Sequence, residues 1–230
     1  MATRVHSTED YLEALYFLAF PIGEYGPMVG RGPAPAARVA EMLGVSAPTA
    51  SEMIKRLEAD GLVSRATGRP VLTDKGRTQA ERAVRNHRII ERFLTDFMGY
   101  TPAESHEHAD AMGDAFDDEM VARLADRLGH PDRCPHGWPI DTVFEQAENR
   151  DLRPLDGVDA PNRVTIVRLA EHNGDLLHWF YDQGLTPGTT LEVTATQPAA
   201  GQRTIRIAGT APREISDTAA AGLFVRVELP

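Results

Sequence analysis

The stretch HEHADAMGD, residues 106–114, concentrates histidine and aspartate side chains in one short segment. If it is helical, His106, Asp110 and Asp114 lie four residues apart and share one face of the helix. Aspartates at that spacing repel one another in an isolated helix, and residues 101–122 contain no Lys or Arg. The sequence therefore predicts that a positive charge from elsewhere, such as a divalent metal ion, lies against this face.

Two further pairs of candidate metal ligands occur at helical spacing. His87 and Glu91 are four residues apart, and Asp10 and Glu13 are three residues apart. Each pair can face one point from its own helix. A divalent cation between these helices would neutralise the carboxylates and let the histidine nitrogens coordinate beside them. Considered singly, Asp10 also fits a helix cap and His87 also fits a packing residue.

The first candidate ligands lie in STEDYLEALYFLAF, which predicts a helix. Leu12, Leu15 and Tyr16 share one stripe at helical spacing, and Ser7 is a typical N-cap. The following segment, PIGEYGPMVGRGPAP, holds four glycines and four prolines. That composition predicts a loop.

A helix-turn-helix pattern follows the loop. ARVAEMLG and VSAPTASEMIKRLEADG predict two helices, the second capped by Ser46 with Pro48 in its first turn. They are joined at Gly44, which can adopt a positive φ at the turn. LVSRATGRPVLTDKG adds two short β-type runs and predicts a hairpin wing. We predict a winged helix-turn-helix DNA-binding domain, although a generic three-helix core is the ordinary alternative.

The outward face of the second of these helices carries side chains suited to DNA. Lys55 and Arg56 can contact phosphates, and hydroxyl groups can reach base edges or phosphates. Glu52 can accept a hydrogen bond from cytosine N4. The candidate DNA-contacting residues are Ser46, Ala47, Pro48, Thr49, Ser51, Glu52, Lys55, Arg56 and, in the wing, Arg69.

Charge and composition limit the class of protein. The net charge is −10, yet residues 1–100 carry 13 Lys and Arg against 12 Asp and Glu. A basic surface on the first half of the chain is therefore compatible with the negative net charge of the whole protein. The single cysteine, Cys134, favours a reducing compartment, and no apolar run is long enough to span a bilayer. The sequence predicts a soluble cytoplasmic protein with no membrane partner.

The rest of the chain predicts a dimerisation module and a β-rich end. Residues 73–99 predict a long helix on which Phe93, Leu94 and Phe97 form an apolar ridge, and MVARLADRLG predicts a further amphipathic helix. Such excess apolar surface after a winged helix suggests a two-fold protein reading a palindromic DNA site. Beyond a linker-like segment, short runs such as TTLEVTATQ and LFVRVELP predict a small barrel.

In their order, these elements resemble the diphtheria-toxin-repressor family of metal-dependent transcriptional regulators. The matching stretches are STEDYLEALY, SAPTASEMIKRLEADGLV, LTDKGR, NHRIIERFLTDFMG, EMVARL with CPHGWPI, and LTPGTTLEV. The resemblance implies a mainly α fold with a small β-barrel. It implies a winged helix-turn-helix domain over residues 1–75, a helical metal-binding and dimerisation domain over 76–148, a linker over 149–161, and an SH3-like, FeoA-type domain over 162–230.

The resemblance also implies two metal sites. The positions of the first match Asp10, Glu13, His87, Asp110, Gly113 and Asp114. The positions of the second match His87 or its neighbours, Glu91, His106 and Glu171, with Asp175 or His172 as substitutes for a ligand near Gly174. Gly113 cannot be a side-chain ligand, and Asp114 replaces an imidazole. CPHGWPI resembles a turn of the family rather than a zinc site, because one Cys-x-His pair offers too few ligands.

The function implied is that of a repressor of metal-uptake genes, acting as a homodimer on palindromic double-stranded DNA. Iron-sensing members carry Met and Cys at the positions of Asp10 and Asp110, so the oxygen-rich ligands here favour Mn²⁺, with Fe²⁺ as the alternative. A metal-insensitive winged-helix protein with a vestigial site is a second hypothesis, because Gly113 removes a ligand. A metal hydrolase needs an open coordination position and a substrate cleft, and we predict that the protein is not an enzyme.

Overall fold

The winged helix-turn-helix elements predicted for the first part of the chain are confirmed. The computed structural model describes residues 6–19, 35–65, 69–112, 115–171 and 173–228. It begins with the helices α1 (Thr8–Ala19), α2 (Pro35–Met42) and α3 (Ala47–Ala59), followed by the antiparallel strands β1 (Val63–Ser64) and β2 (Val71–Leu72). Of the predicted loop at residues 21–35, residues 21–34 lie outside the described residues, as does the wing tip at 66–68, and Pro35 begins α2.

Local side-chain chemistry explains where these helices begin and how they are joined. The Ser7 hydroxyl accepts a hydrogen bond from the backbone N–H of Asp10 at 3.2 Å, and Ser46 accepts one from Thr49 at 3.2 Å. Both predicted N-caps are therefore confirmed, and each satisfies a backbone donor that the first turn leaves unpaired. Gly44 turns the chain between α2 and α3 with φ +62°, a conformation that glycine adopts without strain.

Four helices form the middle of the molecule, and α4 is the longest. They are α4 (Asp74–Asp96), α5 (Pro102–Met112), α6 (Asp118–Arg127) and α7 (Thr142–Glu148). One side of α4 packs against α1, and other sides pack against α5 and α6. Helix α4 therefore connects the DNA-binding elements to the helices that carry most candidate ligands. Within the described part of the chain, no helix is long and apolar enough to cross a membrane.

The C-terminal part is a β-sheet with two helices. Its elements are β3 (Arg153–Pro154), β4 (Asn162–Leu169), α8 (Gly174–Asp182), β5 (Thr190–Gln197), β6 (Gln202–Ile207), β7 (Arg213–Ser216), α9 (Asp217–Ala221) and β8 (Leu223–Val227). The strand order is β3-β8-β4-β5-β6-β7, with antiparallel neighbours. The predicted small barrel is confirmed only as a β-sheet, because the described strands do not close into a barrel. Its edge strands, of two and four residues, offer few backbone groups for closure.

The segment predicted as a linker, residues 149–161, is partly built into this sheet. Within it, β3 pairs with β8, and a single 3-10 turn follows at Leu155–Gly157. Leu155 and Val158 are buried in the core of the sheet together with residues from β4 and α8. The sequence gives no sign of this strand, because the apolar residues of so short a strand and turn show no periodicity.

A buried network around Trp138 joins the helices to the sheet. The guanidinium carbon of Arg88, on α4, lies 5.6 Å from the centre of the Trp138 ring, and that of Arg168, on β4, lies 4.9 Å away. Arg88 forms an ion pair with Glu145 at 2.5 Å, and Arg168 forms one with Glu148 at 2.6 Å. All five side chains are buried, so the position of the sheet relative to α4 and α7 is set by packed, paired groups.

Candidate metal centre

Helices α4 and α5 bring four predicted ligands into contact. His87 Nε2 lies 3.0 Å from Glu91 Oε1 and 3.1 Å from His106 Nδ1. The other ring nitrogen of His87, Nδ1, lies 3.3 Å from Asp110 Oδ1. The shared face inferred for His106 and Asp110 therefore points at α4, and His87, His106 and Asp110 form a set that we call the outer group.

A second set lies deeper, between α4, α5 and the sheet. Ligand atoms of Glu91, His106, His136 and Glu171 all lie within 4.8 Å of one another. His136 Nδ1 is 3.3 Å from Glu91 Oε1 and 3.4 Å from Glu171 Oε2. Glu91, His136 and Glu171 are each at most 2% exposed. We call these four residues the inner group.

The turn that carries His136 is docked against β4 by its own backbone. The N–H of Leu169 donates to the carbonyl of His136 at 3.0 Å, and the indole N–H of Trp138 donates to the carbonyl of Leu169 at 2.8 Å. Gly137 has φ +88°, and a Cβ there would lie 2.0 Å from the carbonyl oxygen of Val167. The close approach therefore requires glycine, and it places His136 beside Glu171, which follows β4.

His136 and Cys134 were not among the ligands inferred from the sequence. Cys134 Sγ lies 3.9 Å from His136 Nδ1, and its burial, followed by the charge of Glu91, raises the pKa of the thiol to about 12. By itself, the Cys-x-His pair offers too few ligands to predict a site. The missing partners are the carboxylates of Glu91 and Glu171, which only the folded chain brings to this turn.

The ligands predicted on α1 line a small cavity beside the outer group. Asp10, Glu13, His87 and Asp110 all line this cavity, whose volume is about 30 Å³. That space is enough for one water molecule or one ion. The structure therefore places predicted ligands from α1, α4 and α5 around a common volume.

The electrostatics of both groups favour a cation. Burial alone would lower the pKa of His87, but the carboxylates of Glu91, Glu13 and Asp110 raise it to about 10. The pKa of His136 is likewise raised against its burial, mainly by Glu91. Burial would raise the pKa of Glu91, yet the neighbouring histidines hold it well below its usual range. The same field that retains protons on these histidines would attract a metal ion.

A further observation shows that the donor set fits a metal ion. Glu91 Oε2 is buried and has no hydrogen-bond partner among the described residues. A buried carboxylate oxygen without a donor is costly, and coordination of a cation is one way to satisfy it. Imidazole nitrogens and carboxylate oxygens are ligands of Mn²⁺, Fe²⁺ and Zn²⁺.

Other predicted ligands are placed elsewhere or lie outside the described residues. Asp175 is exposed in the first turn of α8 and belongs to neither group. Gly113, Asp114 and His172 lie outside the described residues. The structure thus brings together seven of the nine predicted metal ligands around the two groups and the small cavity, namely Asp10, Glu13, His87, Glu91, His106, Asp110 and Glu171.

The candidate DNA-contacting residues lie on the accessible side of α3 and in the wing. Ser46, Ala47, Pro48, Thr49, Glu52, Lys55, Arg56 and Arg69 are exposed, and Ser51 is half-buried. The opposite side of α3 buries Ala50, Ile54 and Leu57 in the core. Because packing fixes that side, the polar side is the one presented to a partner. Lys55 contacts Glu52 at 3.7 Å with both side chains mostly exposed.

Comparison with known proteins identifies the family. Residues 4–69 match the model of the iron dependent repressor N-terminal DNA binding domain, and residues 73–142 match that of the metal binding and dimerisation domain. The iron-dependent repressor IdeR of Mycobacterium tuberculosis is 33% identical over 205 residues, covering 84% of this chain and 85% of that protein. The chain belongs to the family of iron-dependent repressors. Residues 153–227 match the FeoA domain.

Other members of this repressor family match over nearly the whole chain. The diphtheria toxin repressor of Corynebacterium glutamicum is 33% identical over 239 residues, covering 99% of this chain and 98% of that protein. A solved manganese-dependent transcriptional repressor in complex with manganese has a TM-score of 0.81 at 30% identity, covering 96% and 100% of the two chains. The manganese regulator SloR has a TM-score of 0.78 at 27% identity, covering 98% and 100%. Proteins of this family are regulators rather than enzymes, so the hydrolase alternative is not supported.

Proposed function

We propose that the protein is a cytoplasmic, homodimeric transcriptional repressor that binds palindromic operator DNA when Mn²⁺ is bound, with Fe²⁺ as the alternative metal, and that it represses genes for metal uptake. One observation carries the proposal. Carboxylates of α1, a helix of the DNA-binding domain, line the same small cavity as His87 of α4 and Asp110 of α5. The repressor activity is proposed because the relatives in the same family are repressors.

The mechanism that this arrangement supports is linkage between metal binding and the position of α1. A bound divalent cation would supply positive charge shared among ligands from three helices. Asp10 and Glu13 would tie α1 to α4, while His87 and Asp110 would hold α4 against α5. Because α1 also packs against α2 and α3, this tie would restrict the placement of α3, the helix that carries most of the candidate DNA-contacting residues. A coupling free energy of about 1–3 kcal/mol is typical of such effects.

The donor sets support Mn²⁺ at the outer group and the small cavity beside it, where the ligands of α1 join His87 and Asp110. Asp10, Glu13, His87 and Asp110 offer oxygen and imidazole donors and no thiol, which suits a harder divalent ion. The inner group lies beside Cys134, whose sulfur is 3.9 Å from His136 Nδ1. That thiol is not one of the four converging ligands, so the inner group also offers imidazole and carboxylate donors.

An exposed apolar end of α4 supports the homodimer. Phe97 and Met98 are 59% and 57% exposed, and the ring of Phe97 stacks on Phe93 with centroids 6.1 Å apart. Leu94, predicted on the same ridge, is instead buried in a cluster with Ile90 and Ala109. The ridge proposed for the subunit interface therefore consists of Phe93, Phe97 and Met98.

The experiment that tests the function measures DNA binding with and without metal. Duplexes would be selected from a random library in the presence of Mn²⁺, and the affinity of a selected palindrome would be measured with Mn²⁺, Fe²⁺, Co²⁺, Zn²⁺ or chelator. We expect Mn²⁺ to tighten binding about 5–150-fold, the range that corresponds to the coupling free energy above. Sedimentation of the same samples is expected to give about twice the 25.2 kDa chain mass.

Equal DNA affinity with and without every metal would favour the alternative, a metal-insensitive winged-helix protein with a vestigial site. The observation that keeps this alternative open is the glycine at position 113, where the family pattern has a ligand. A stable monomer that binds the palindrome would contradict the homodimer.

Replacement of Lys55 tests the orientation of α3 on DNA. Lys55→Ala is expected to weaken operator binding and to reduce the slope of log affinity against log salt by about one, because one phosphate contact is lost. Arg123→Ala, on the exposed face of α6, is the matched control and should leave both quantities unchanged. A slope for Lys55→Ala equal to that of the parent protein would place this side chain outside the interface.

A further inference from the structure

His6 lies just before α1, and its imidazole is held between two neighbours. Nδ1 lies 3.2 Å from Asp10 Oδ2, and the ring meets Tyr11 edge-on with centroids 6.3 Å apart. The side chain is only 12% exposed. Because a carboxylate can only accept a hydrogen bond, Nδ1 is the ring nitrogen that carries the proton. The orientation and the tautomer of this histidine are therefore both defined.

The oxygen that His6 contacts is also held by the backbone. The N–H of Ser7 donates to Asp10 Oδ2 at 2.9 Å, and the N–H of Asp10 donates to the Ser7 hydroxyl at 3.2 Å. The ring N–H of His6 and the backbone N–H of Ser7 thus both donate to Oδ2 of Asp10. Together they restrict rotation of the carboxylate about χ2. With Oδ2 fixed in this way, the direction of Oδ1 is fixed as well.

Asp10 lines two cavities, so the orientation of its carboxylate decides which of them its oxygens face. It lines the small cavity beside His87, and it also lines a larger one of about 390 Å³ next to the turn between α2 and α3. His6 lines the larger cavity together with Glu13, His106 and Asp110, and no Lys or Arg does so in the described part of the chain. A side chain that anchors Oδ2 therefore limits how far the carboxylate can turn from His87.

We propose that His6 is a positioning residue that holds Asp10 ready to bind the metal ion of the outer group, without coordinating the ion itself. This inference rests on the proposed function, because it takes Asp10 to be a ligand. A carboxylate that is already oriented loses less conformational freedom on binding. Hydrogen-bond partners of metal ligands act in this way, and their removal typically weakens metal binding about 10–100-fold.

The test compares two substitutions at His6. His6→Ala removes the donor, whereas His6→Asn keeps an N–H donor near the position of Nδ1 and removes the imidazole. Calorimetric titration with Mn²⁺ is expected to show binding about tenfold weaker in His6→Ala and within about threefold of the parent in His6→Asn. The ¹⁴N couplings in pulsed electron paramagnetic resonance of bound Mn²⁺ should show the same number of coordinated imidazoles in all three proteins.

Two results would overturn the inference, and they differ from failure of the proposed function. Parental Mn²⁺ affinity in His6→Ala would show that Asp10 needs no support from His6. Loss of one nitrogen coupling in both variants, with no rescue by asparagine, would make His6 a ligand instead. If the parent protein itself fails to bind Mn²⁺, the proposed function is contradicted. His178→Ala, at an exposed histidine of α8, controls for the loss of an imidazole elsewhere.

Discussion

His87→Ala is expected to weaken Mn²⁺ binding at least tenfold, as measured by calorimetric titration. His87 contacts Glu91 and Asp110 through different ring nitrogens, at 3.0 and 3.3 Å, and it lines the cavity shared with Asp10 and Glu13. Its loss would leave the carboxylates of α1 and α5 facing a space without an imidazole. Loss of residues that merely support a metal ligand costs about 10–100-fold, so loss of a ligand should cost no less.

Two companion variants make this result interpretable. His178→Ala should bind Mn²⁺ like the parent protein, because that histidine is exposed on α8. Asp10→Asn should weaken the effect of Mn²⁺ on DNA binding more than it weakens Mn²⁺ binding, because Asp10 belongs to the DNA-binding domain. If His87→Ala and Asp10→Asn both bind Mn²⁺ with parental affinity, the outer group is not a metal site.

Arg88→Met is expected to lower the free energy of unfolding by about 3–5 kcal/mol, the usual cost of removing one partner of a buried ion pair. Arg88 and Glu145 are 1% and 0% exposed, and Arg88 also donates to the carbonyl of Pro139 at 2.6 Å. Without the guanidinium, the Glu145 carboxylate would remain buried without a cation. Urea unfolding followed by circular dichroism measures the loss.

The matched controls separate this cost from loss of packing. Arg92→Met removes the partner of Asp96, in a pair about one third exposed, and should cost less than about 1 kcal/mol. Combining Arg88→Met with Glu145→Leu removes both charges and should recover much of the stability, as replacement of whole buried ion pairs by apolar residues often does. A double variant as unstable as Arg88→Met alone would show that packing against Trp138, rather than the charge, is responsible.

The elements with strong local signals were predictable from the sequence. Ser7, Ser46 and Thr73 cap α1, α3 and α4, and the stripes behind them have helical periodicity. Helix α7 and strands β3 and β7 were missed because their short segments carry no periodic apolar pattern that distinguishes them from a loop. The openness of the sheet depends on strand pairing, which no local pattern specifies.

The candidate site also has a part that was predictable from the sequence and a part that was not. His87 with Glu91 and His106 with Asp110 are pairs four residues apart, so helical geometry alone brings each pair to one face. The inner group instead combines α4, α5, a turn and the end of β4, with sequence separations of up to 80 residues between Glu91 and Glu171. His136 therefore gave no local signal beyond Cys134, two residues before it, and Gly137, which follows it.

Gly137 makes the inner group recognisable in other sequences. Two independent constraints, φ +88° and a Cβ position 2.0 Å from the carbonyl oxygen of Val167, exclude any side chain at that position. A chain with histidine at the position of His136 but a larger residue after it could not bring its turn this close to β4. In related sequences we therefore expect a His-Gly dipeptide at this turn, together with acids at the positions of Glu91 and Glu171, to accompany a buried inner group of this kind.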